Sequence, residues 1–378
     1  MLTPDFKKAS SVLTRSLAPG KPHHAQWLVT KKCNYRCAGC NVWKEKDESE
    51  LPAADIKKGM DILKELGIVE LVISGGDPLL RDDIGEIIDY ATKHFITTVY
   101  DNGSMAAKKI DYLRNVDFVA ISIDSLDEAK NDSIKTVPGA WKRAMETVEK
   151  LHSEGINVSV TPTISQKNVH EIADLTAYFT KKGIPVWYSL YSYDTSASEN
   201  QLFKIGKEND EFTITDKQAM VDLCDSLIEM KKKNSKILIT KKLLKTLRGL
   251  YAEGTREWEC EALRNFFVID PLGRVAGCHS HNYAGSVFDL PKLWKSQEFN
   301  ELRIKYKDCA QCNYLCYIFY SVQGGPRGHL AVAFDQWKNA GMVFKKKQLN
   351  PISEVRPKKP LVKGQKNSIQ ETTLRRCR

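Results

Sequence analysis

The chain has 378 residues, of which 42% are hydrophobic and 28% are charged, and its formal net charge is +10 at pH 7. This length allows one large domain with a smaller one beside it, and the composition is ordinary for a soluble globular protein. No apolar run is long enough to span a bilayer, and Asp5, Lys7 and Lys8 argue against a signal peptide. We therefore expect a cytoplasmic protein without a transmembrane segment.

An amphipathic helix is predicted over about Asp5 to Leu17, and after it short apolar runs alternate with longer stretches of helical periodicity. The predicted strands are Gln26–Val29, Glu70–Ser74, Thr97–Asp101, Phe118–Ile123, Val158–Thr163 and Val186–Leu190. The predicted helices between them are Ala54–Leu66, Ile84–Lys93, Trp141–Ser153 and Val169–Lys182. This alternation predicts parallel strands joined by right-handed crossovers. The expected fold class is α/β, a partial (β/α)6 barrel of the TIM type with a small C-terminal cysteine-rich extension of hairpin and helix.

Changes in pattern divide the chain into five predicted segments. They are an N-terminal helical segment (1–22), a core barrel (23–195), a helical linker region (196–255), a cysteine-rich domain (256–345) and a basic tail (346–378). The linker region contains a predicted long helix from Asp216 to Lys233. We expect the tail to be solvated and able to touch an anionic membrane surface or nucleic acid.

The ten cysteines of the chain are clustered, and a reducing compartment disfavours disulfides between them. Cys33, Cys37 and Cys40 have the spacing C-x3-C-x2-C directly after the first predicted strand, at the barrel mouth where active sites gather. Three thiolates can hold three irons of a [4Fe–4S] cluster and leave the fourth iron open to a small molecule. The alternatives are a structural zinc site completed by a distant residue, and cysteines packed in a turn.

The position and spacing of Cys33, Cys37 and Cys40 resemble the signature of the radical S-adenosylmethionine (radical SAM) superfamily. The resemblance implies that these cysteines hold a [4Fe–4S] cluster, whose fourth iron binds the amino and carboxylate groups of S-adenosylmethionine. The family often has an aromatic residue before the third cysteine, where this chain has Gly39. Tyr35 and Trp43 are the candidates for the adenine contact.

Further motifs lie at the ends of the following predicted strands. Gly75, Gly76, Asp77 and Pro78 resemble the family's Gly-Gly-Glu-Pro motif, whose backbone binds the amino group of S-adenosylmethionine, with aspartate in place of glutamate. The resemblance also implies cofactor contacts by Asn102, Ser122, Asp124 and Thr163. Taken alone, the glycines and Asn102 are turn signals, and Ser122 and Asp124 serve equally well as N-caps for the next helix.

The second cysteine cluster begins with Cys260 and Cys278, which flank a predicted hairpin over Asn265–Val275, and continues with Cys309, Cys312 and Cys316. This order resembles the SPASM/twitch extension of radical SAM enzymes, shortened because the full SPASM pattern has seven cysteines. It implies one auxiliary [4Fe–4S] cluster on Cys260, Cys278, Cys309 and Cys312, with Cys316 as a substitute for one of the last two. A zinc ribbon is the alternative. Cys224 is predicted to be a core residue.

The resemblance implies an enzyme that receives one electron from a donor such as ferredoxin or flavodoxin and cleaves S-adenosylmethionine reductively. The resulting 5′-deoxyadenosyl radical would act on a peptide, a small metabolite or a lipid, and the sequence identifies no catalytic side chain. The competing hypothesis is a non-catalytic zinc protein that binds nucleic acid or anionic surfaces through its basic tail.

Overall fold

The computed structural model describes Ser10, Thr14, Arg15 and residues 20–45, 47, 49–194, 206–207, 209–309 and 312–339. Ser10, Thr14 and Arg15 are helical, and the rest of the predicted N-terminal helix lies outside the described residues. The basic tail predicted over 346–378 also lies outside them.

The strands are, in chain order, β1 His24–Thr30, β2 Glu70–Gly75, β3 Ile96–Asp101, β4 Phe118–Ile121, β5 Val158–Val160, β6 Thr163–Ile164, β7 Ser189–Leu190, β8 Tyr193–Asp194, β9 Gly206–Lys207, β10 Phe266–Ile269, β11 Arg274–Ala276 and β12 Gly285–Ser286. Eight of them form one sheet in the order β12-β11-β10-β1-β2-β3-β4-β5, and β6 pairs with β7 and β8 with β9. Every pair from β10 to β5 is parallel. The predicted α/β class and partial barrel are confirmed.

The α-helices are Ala53–Leu66, Ile84–His94, Ile110–Leu113, Glu128–Lys135, Ala140–Ser153, Ile172–Lys181, Lys217–Lys233, Lys241–Glu253, Leu290–Leu293, Gln297–Lys307, Leu315–Val322 and Gly325–Asp335. The first of them has an apolar stripe that packs into the core, where Ile56, Met60 and Leu63 are completely buried. None of the described helices is both long and apolar enough to cross a membrane.

The fifth predicted strand is shorter than expected because Pro162 interrupts it. β5 ends at Val160, and pairing resumes only at Thr163, in β6 against β7. Proline has no N–H to donate to a ladder, although its carbonyl still accepts from the Ser189 N–H at 2.9 Å. The polar groups that follow β5 are therefore placed by two short ladders rather than by one continuous strand.

The predicted hairpin is confirmed, since Val268 pairs antiparallel with Ala276, but its place in the fold differs from the expectation of a separate extension. β10 runs parallel to β1, with His24 opposite Phe266 and Trp27 opposite Ile269. The hairpin thus continues the sheet of the barrel. The segment boundaries near residues 195 and 255 stay predictions.

Candidate functional site

The loop that carries the first three cysteines leaves β1 and is held in place by backbone hydrogen bonds to two neighbouring segments. Gly76 N–H donates to the Thr30 carbonyl at 2.9 Å, and Asp77 N–H donates to the Lys32 carbonyl at 2.7 Å. Ala38 N–H donates to the Ile134 carbonyl at 3.0 Å, which fixes the loop to the C-terminal end of the helix Glu128–Lys135. The cysteines therefore sit on a braced loop at the carboxyl ends of the strands.

Cys33, Cys37 and Cys40 are half-buried, free thiols. Burial raises the pKa of Cys33 to about 12 and that of Cys40 to about 11, and the nearby thiols add to both shifts. Burial also raises the pKa of Cys37, while the charge of Lys135 opposes the shift. Without a metal the three thiols are therefore neutral, and a cationic centre would draw them into the thiolate form that ligation requires. Three sulfur donors on one loop fit three irons of a [4Fe–4S] cluster.

The glycine pair after β2 lies against the backbone that leads into this loop. A Cβ on Gly75 would lie 2.2 Å from the Thr30 carbonyl oxygen, and a Cβ on Gly76 would lie 2.2 Å from that of Lys32. Gly75 also has a φ of 142°, which favours glycine. Only glycine allows the two chain segments to approach this closely.

Asp77, which stands where the family usually has glutamate, turns its side chain inward. Its Oδ1 accepts from the Leu79 N–H at 3.0 Å, which caps the 3-10 turn Pro78–Leu80. Burial and the negative charge of Asp101 raise the pKa of Asp77 well above its ordinary value. Asp101 itself accepts backbone N–H groups, that of Gly103 at 2.8 Å among them. The Asp77 carboxyl thus supports the turn.

Ser122 and Asp124, after β4, are bound together by Lys135, a residue that the sequence analysis missed. Lys135 Nζ donates to Ser122 Oγ at 2.6 Å and forms an ion pair with Asp124 Oδ2 at 2.7 Å. Burial lowers the pKa of Lys135, but the charges of Asp124 and Cys37 outweigh burial and raise it. The N-cap alternative is wrong, because the helix Glu128–Lys135 is capped by Asp127 instead.

The remaining predicted contacts fall around the same loop. Asn102 Nδ2 donates to Asn34 Oδ1 on the cysteine loop at 2.8 Å. Thr163 lies beside the Ser122 and Asp124 group, since its N–H donates to Asp124 Oδ1 at 2.8 Å. The structure therefore brings all the residues predicted for the cofactor to the carboxyl ends of β2, β3, β4 and β5.

The aromatic surroundings of the loop differ from those proposed from the sequence. Tyr35 is buried and its hydroxyl accepts from Arg143 Nε at 3.3 Å, so it is engaged in the protein. Trp43 is half-buried beneath the Arg36 guanidinium, 5.3 Å from its ring centroid. At Gly39, an added Cβ would lie 2.9 Å from the Tyr191 ring and 3.3 Å from that of Phe212. Tyr191 and Phe212 thus cover the position where the family often has its aromatic side chain.

Four cysteines of the second set line one pocket that is partly open to solvent. Its lining includes the sulfurs of Cys260, Cys278, Cys309 and Cys312, and the aromatic rings of Phe266, Tyr306, Tyr314 and Tyr317. Cys260 precedes β10 and Cys278 follows β11, so the hairpin brings them together. The lining does not include Cys316, which lies on the helix Leu315–Val322.

The thiols of this pocket influence one another as those of the first loop do. Burial raises the pKa of Cys260 to about 11, and Cys309 adds to the shift. Burial also raises the pKa of Cys278 well above its ordinary value, with a contribution from Cys312. Among the described residues, no three His, Cys, Asp or Glu side chains converge on the position of a single metal ion. Four cysteines around one pocket are the donor set that an iron–sulfur cluster takes.

Comparison with known proteins identifies two family models. The model of the radical SAM superfamily matches residues 27–179, and the model of an iron–sulfur cluster-binding domain (SPASM) matches residues 260–313. An AdoMet-dependent heme synthase of Nitratidesulfovibrio vulgaris is 29% identical over 182 residues, which cover 46% of this chain and 50% of the relative. The chain thus spans about half the length of that relative.

The antilisterial bacteriocin subtilosin biosynthesis protein AlbA of Bacillus subtilis is 26% identical over 325 residues, covering 79% of this chain and 67% of the relative. Among solved structures, Streptococcus suis SuiB bound to S-adenosylmethionine has a TM-score of 0.60 at 16% identity and covers 85% of this chain and 79% of SuiB. SuiB bound to its precursor peptide SuiA has a TM-score of 0.57 at 15% identity, over 85% of this chain and 77% of SuiB. These structures share the fold.

The two family matches, over the barrel strands and over the second cysteine region, favour an iron–sulfur protein over the alternative of a non-catalytic zinc protein. The chain carries a radical SAM superfamily domain over residues 27–179 and an iron–sulfur cluster-binding (SPASM) domain over residues 260–313.

Proposed function

We propose that the protein cleaves S-adenosylmethionine at a [4Fe–4S] cluster held by Cys33, Cys37 and Cys40 and uses the product to modify a peptide. The observation that carries the proposal is the placement of these three thiols on one loop braced by the carboxyl ends of successive strands. When bound, the cluster supplies the electron that splits S-adenosylmethionine into methionine and a 5′-deoxyadenosyl radical.

The chain's own residues position S-adenosylmethionine beside the cluster. Gly75 and Gly76 bind its amino group through their backbone, and Asn102 braces the cysteine loop through Asn34. Ser122 and Asp124 bind the ribose, and Lys135 holds both of them in place. Pro78 begins the 3-10 turn that follows the glycine pair. Thr163 lies beside the ribose-binding residues, because its N–H donates to Asp124.

We further propose an auxiliary [4Fe–4S] cluster on Cys260, Cys278, Cys309 and Cys312, the four cysteines that line the second pocket. Four thiolates leave no open iron, so such a cluster transfers electrons or stabilises the fold. If bound there, the cluster would supply an acceptor for one electron from the substrate, as an oxidation or a bond formation requires.

The peptide is preferred among peptide, small metabolite and lipid because AlbA is named for bacteriocin biosynthesis and SuiB was solved with a precursor peptide. The electron donor is a small redox protein such as ferredoxin or flavodoxin. The basic tail contacts anionic membrane surfaces, and the protein works in the cytoplasm, where its free cysteines stay reduced.

The test starts with anaerobic protein reconstituted with iron and sulfide. About eight irons and formation of 5′-deoxyadenosine on adding dithionite and S-adenosylmethionine are expected. An extract of the native cells, divided into chloroform-soluble and aqueous fractions, should then stimulate this formation through an aqueous component that protease destroys. Stimulation by the chloroform fraction indicates a lipid, and stimulation that survives protease indicates a small metabolite. Absence of 5′-deoxyadenosine from fully loaded protein contradicts the proposal.

Alanine at Cys312 and at Cys316 should separate the proposed ligands of the auxiliary cluster. We expect Cys312→Ala to lose about four of the eight irons, because its sulfur lines the pocket. Cys316→Ala should keep all of them, because Cys316 is not part of the pocket lining. Iron and sulfide analysis of the two purified variants decides the question, and equal losses would show that Cys316 is also a ligand.

A single methyl group on Gly76 should disrupt the binding of S-adenosylmethionine. In Gly76→Ala the new Cβ would lie 2.2 Å from the Lys32 carbonyl oxygen and 2.6 Å from that of Lys31, so the cysteine loop must shift. We expect the cleavage rate to fall about 100-fold, the cost of a displacement of roughly 1 Å at a reacting site.

Gly249→Ala is the matched control for this substitution. Gly249 lies inside the helix Lys241–Glu253, and an added Cβ there meets no atom within 4 Å. This variant should keep full activity and gain up to about 1 kcal/mol in unfolding free energy. The interpretation of the glycine pair is wrong if Gly76→Ala cleaves S-adenosylmethionine as fast as this control.

A further inference from the structure

The pocket of the second cysteine set contains one tyrosine hydroxyl that the protein leaves unsatisfied. Tyr317 is in the first turn of the helix Leu315–Val322 and is only 1% exposed. Its hydroxyl has no hydrogen-bond partner among the residues that the structure describes. Leaving a buried donor unpaired costs free energy, so buried tyrosines almost always bond their hydroxyl.

Packing holds the ring of Tyr317 in place, and this restricts the position of its hydroxyl. It stacks on Phe266 of β10, with ring centroids 4.8 Å apart and planes 1° from parallel. Phe266 also lines the pocket. The hydroxyl is thus fixed at the pocket by the same hairpin that brings Cys260 and Cys278 together.

The other tyrosine hydroxyls of the pocket have partners in the protein. Tyr314 accepts from Ser280 Oγ at 3.3 Å, and Tyr306 accepts from the Gly277 N–H at 3.3 Å. The described lining contains cysteine, phenylalanine, serine, histidine and tyrosine side chains and no carboxylate. None of these side chains accepts a hydrogen bond from Tyr317 in the structure, so the acceptor would be a sulfur of the cluster proposed for this pocket.

A phenol hydroxyl beside sulfur ligands can donate a hydrogen bond to them.

We infer that the Tyr317 hydroxyl donates a hydrogen bond to a sulfur of the auxiliary cluster, either a cysteine thiolate or an inorganic sulfide, and thereby raises the reduction potential of that cluster. The inference rests on the auxiliary cluster of the proposed function. A hydrogen bond to sulfur stabilises the more negative, reduced state, and such bonds are one of the ways in which proteins set cluster potentials. Tyr317 is a positioning residue that makes the cluster a better electron acceptor.

The test compares Tyr317→Phe with the unchanged protein, both reconstituted anaerobically as full-length chains. The auxiliary cluster is followed by electron paramagnetic resonance during a potentiometric titration. We expect the variant to keep its full iron content while the midpoint potential of the auxiliary cluster shifts to a more negative value. Tyr314→Phe is the control, because Ser280 already bonds that hydroxyl, and it should leave the potential unchanged.

A second measurement detects the bond directly in the unchanged protein. An exchangeable proton coupled to the reduced auxiliary cluster should appear in electron–nuclear double resonance spectra, vanish in D₂O and be missing from Tyr317→Phe. A loaded Tyr317→Phe protein with an unshifted potential and an unchanged proton signal overturns the inference and leaves the proposed function intact. Only about four irons in the unchanged protein would instead refute the auxiliary cluster itself, and the inference with it.

Discussion

Cys37→Ala is expected to abolish 5′-deoxyadenosine formation and to remove about four irons from the reconstituted protein. Cys37 is the central thiol of the first loop, and its neighbour Ala38 is bonded to the helix Glu128–Lys135. No other cysteine of this loop is available to replace its sulfur. Mutation of a residue that only hydrogen-bonds a metal ligand lowers metal affinity or activity about 10–100-fold. Loss of the ligand itself should therefore lower the cleavage rate by more than about 100-fold.

Cys224→Ala is the control for this loss. Cys224 is completely buried on the helix Lys217–Lys233 and belongs to neither cysteine site, so the variant should keep its iron and its activity. Its unfolding free energy should fall by about 1 kcal/mol, as for an average core substitution. Chromatographic quantification of 5′-deoxyadenosine and iron analysis test both variants. Undiminished product from Cys37→Ala would remove this residue from the proposed ligand set.

The second large effect is expected on stability, from Lys135→Met. This change leaves Asp124, which is 3% exposed, as a buried charge without its partner and removes the donor to Ser122. Removing one partner of a buried ion pair costs about 3–5 kcal/mol. We expect the free energy of unfolding, measured with urea, to fall by this amount. Adding Asp124→Asn should restore part of it, since the uncompensated charge is then gone.

Lys130→Met on the same helix is the matched control. Lys130 pairs with Glu171 at 2.7 Å, but its side chain is 40% exposed, so the pair is worth at most about 1 kcal/mol. Equal losses in the two variants would contradict the account of Lys135. The pH dependence has a definite sign. Because Lys135 has a raised pKa, its contribution is fully present at neutral pH and disappears only as the pH rises above its ordinary 10.5.

Much of the barrel was predictable from local patterns, whereas several of its functional contacts were not. The helix Ala53–Leu66 repeats buried residues at helical spacing, and the strand runs are apolar, so both are visible in the sequence. The helix Glu128–Lys135 has the sequence EAKNDSIK, which contains no apolar stripe, and it was missed. Lys135, which ends this helix, was missed as well. The sequence does not show whether a lysine is buried next to Asp124 or exposed to solvent.

Contacts between distant segments were also beyond the sequence. The pairing of β10 with β1 joins residues more than 200 positions apart, and the sequence of neither strand indicates which strand it pairs with. The unsatisfied hydroxyl of Tyr317 appears only once Phe266 and the four cysteines surround it. The motif Gly75-Gly76 was found by resemblance. The reason for glycine is visible only in the structure, where a Cβ added to either residue would lie 2.2 Å from a carbonyl oxygen.

The insertion of β1 between β2 and β10 has a consequence for the nascent chain. The ribosome makes β2 soon after β1, but Phe266 follows its partner His24 by 242 residues. At about 5–20 residues per second, roughly 10–50 s pass before the second neighbour of β1 exists. The cysteine loop at the end of β1 is therefore synthesised before the sheet around β1 is complete. We therefore expect iron–sulfur delivery to the first site to wait for synthesis of the hairpin, so that both cysteine sites mature in the same late period of biogenesis.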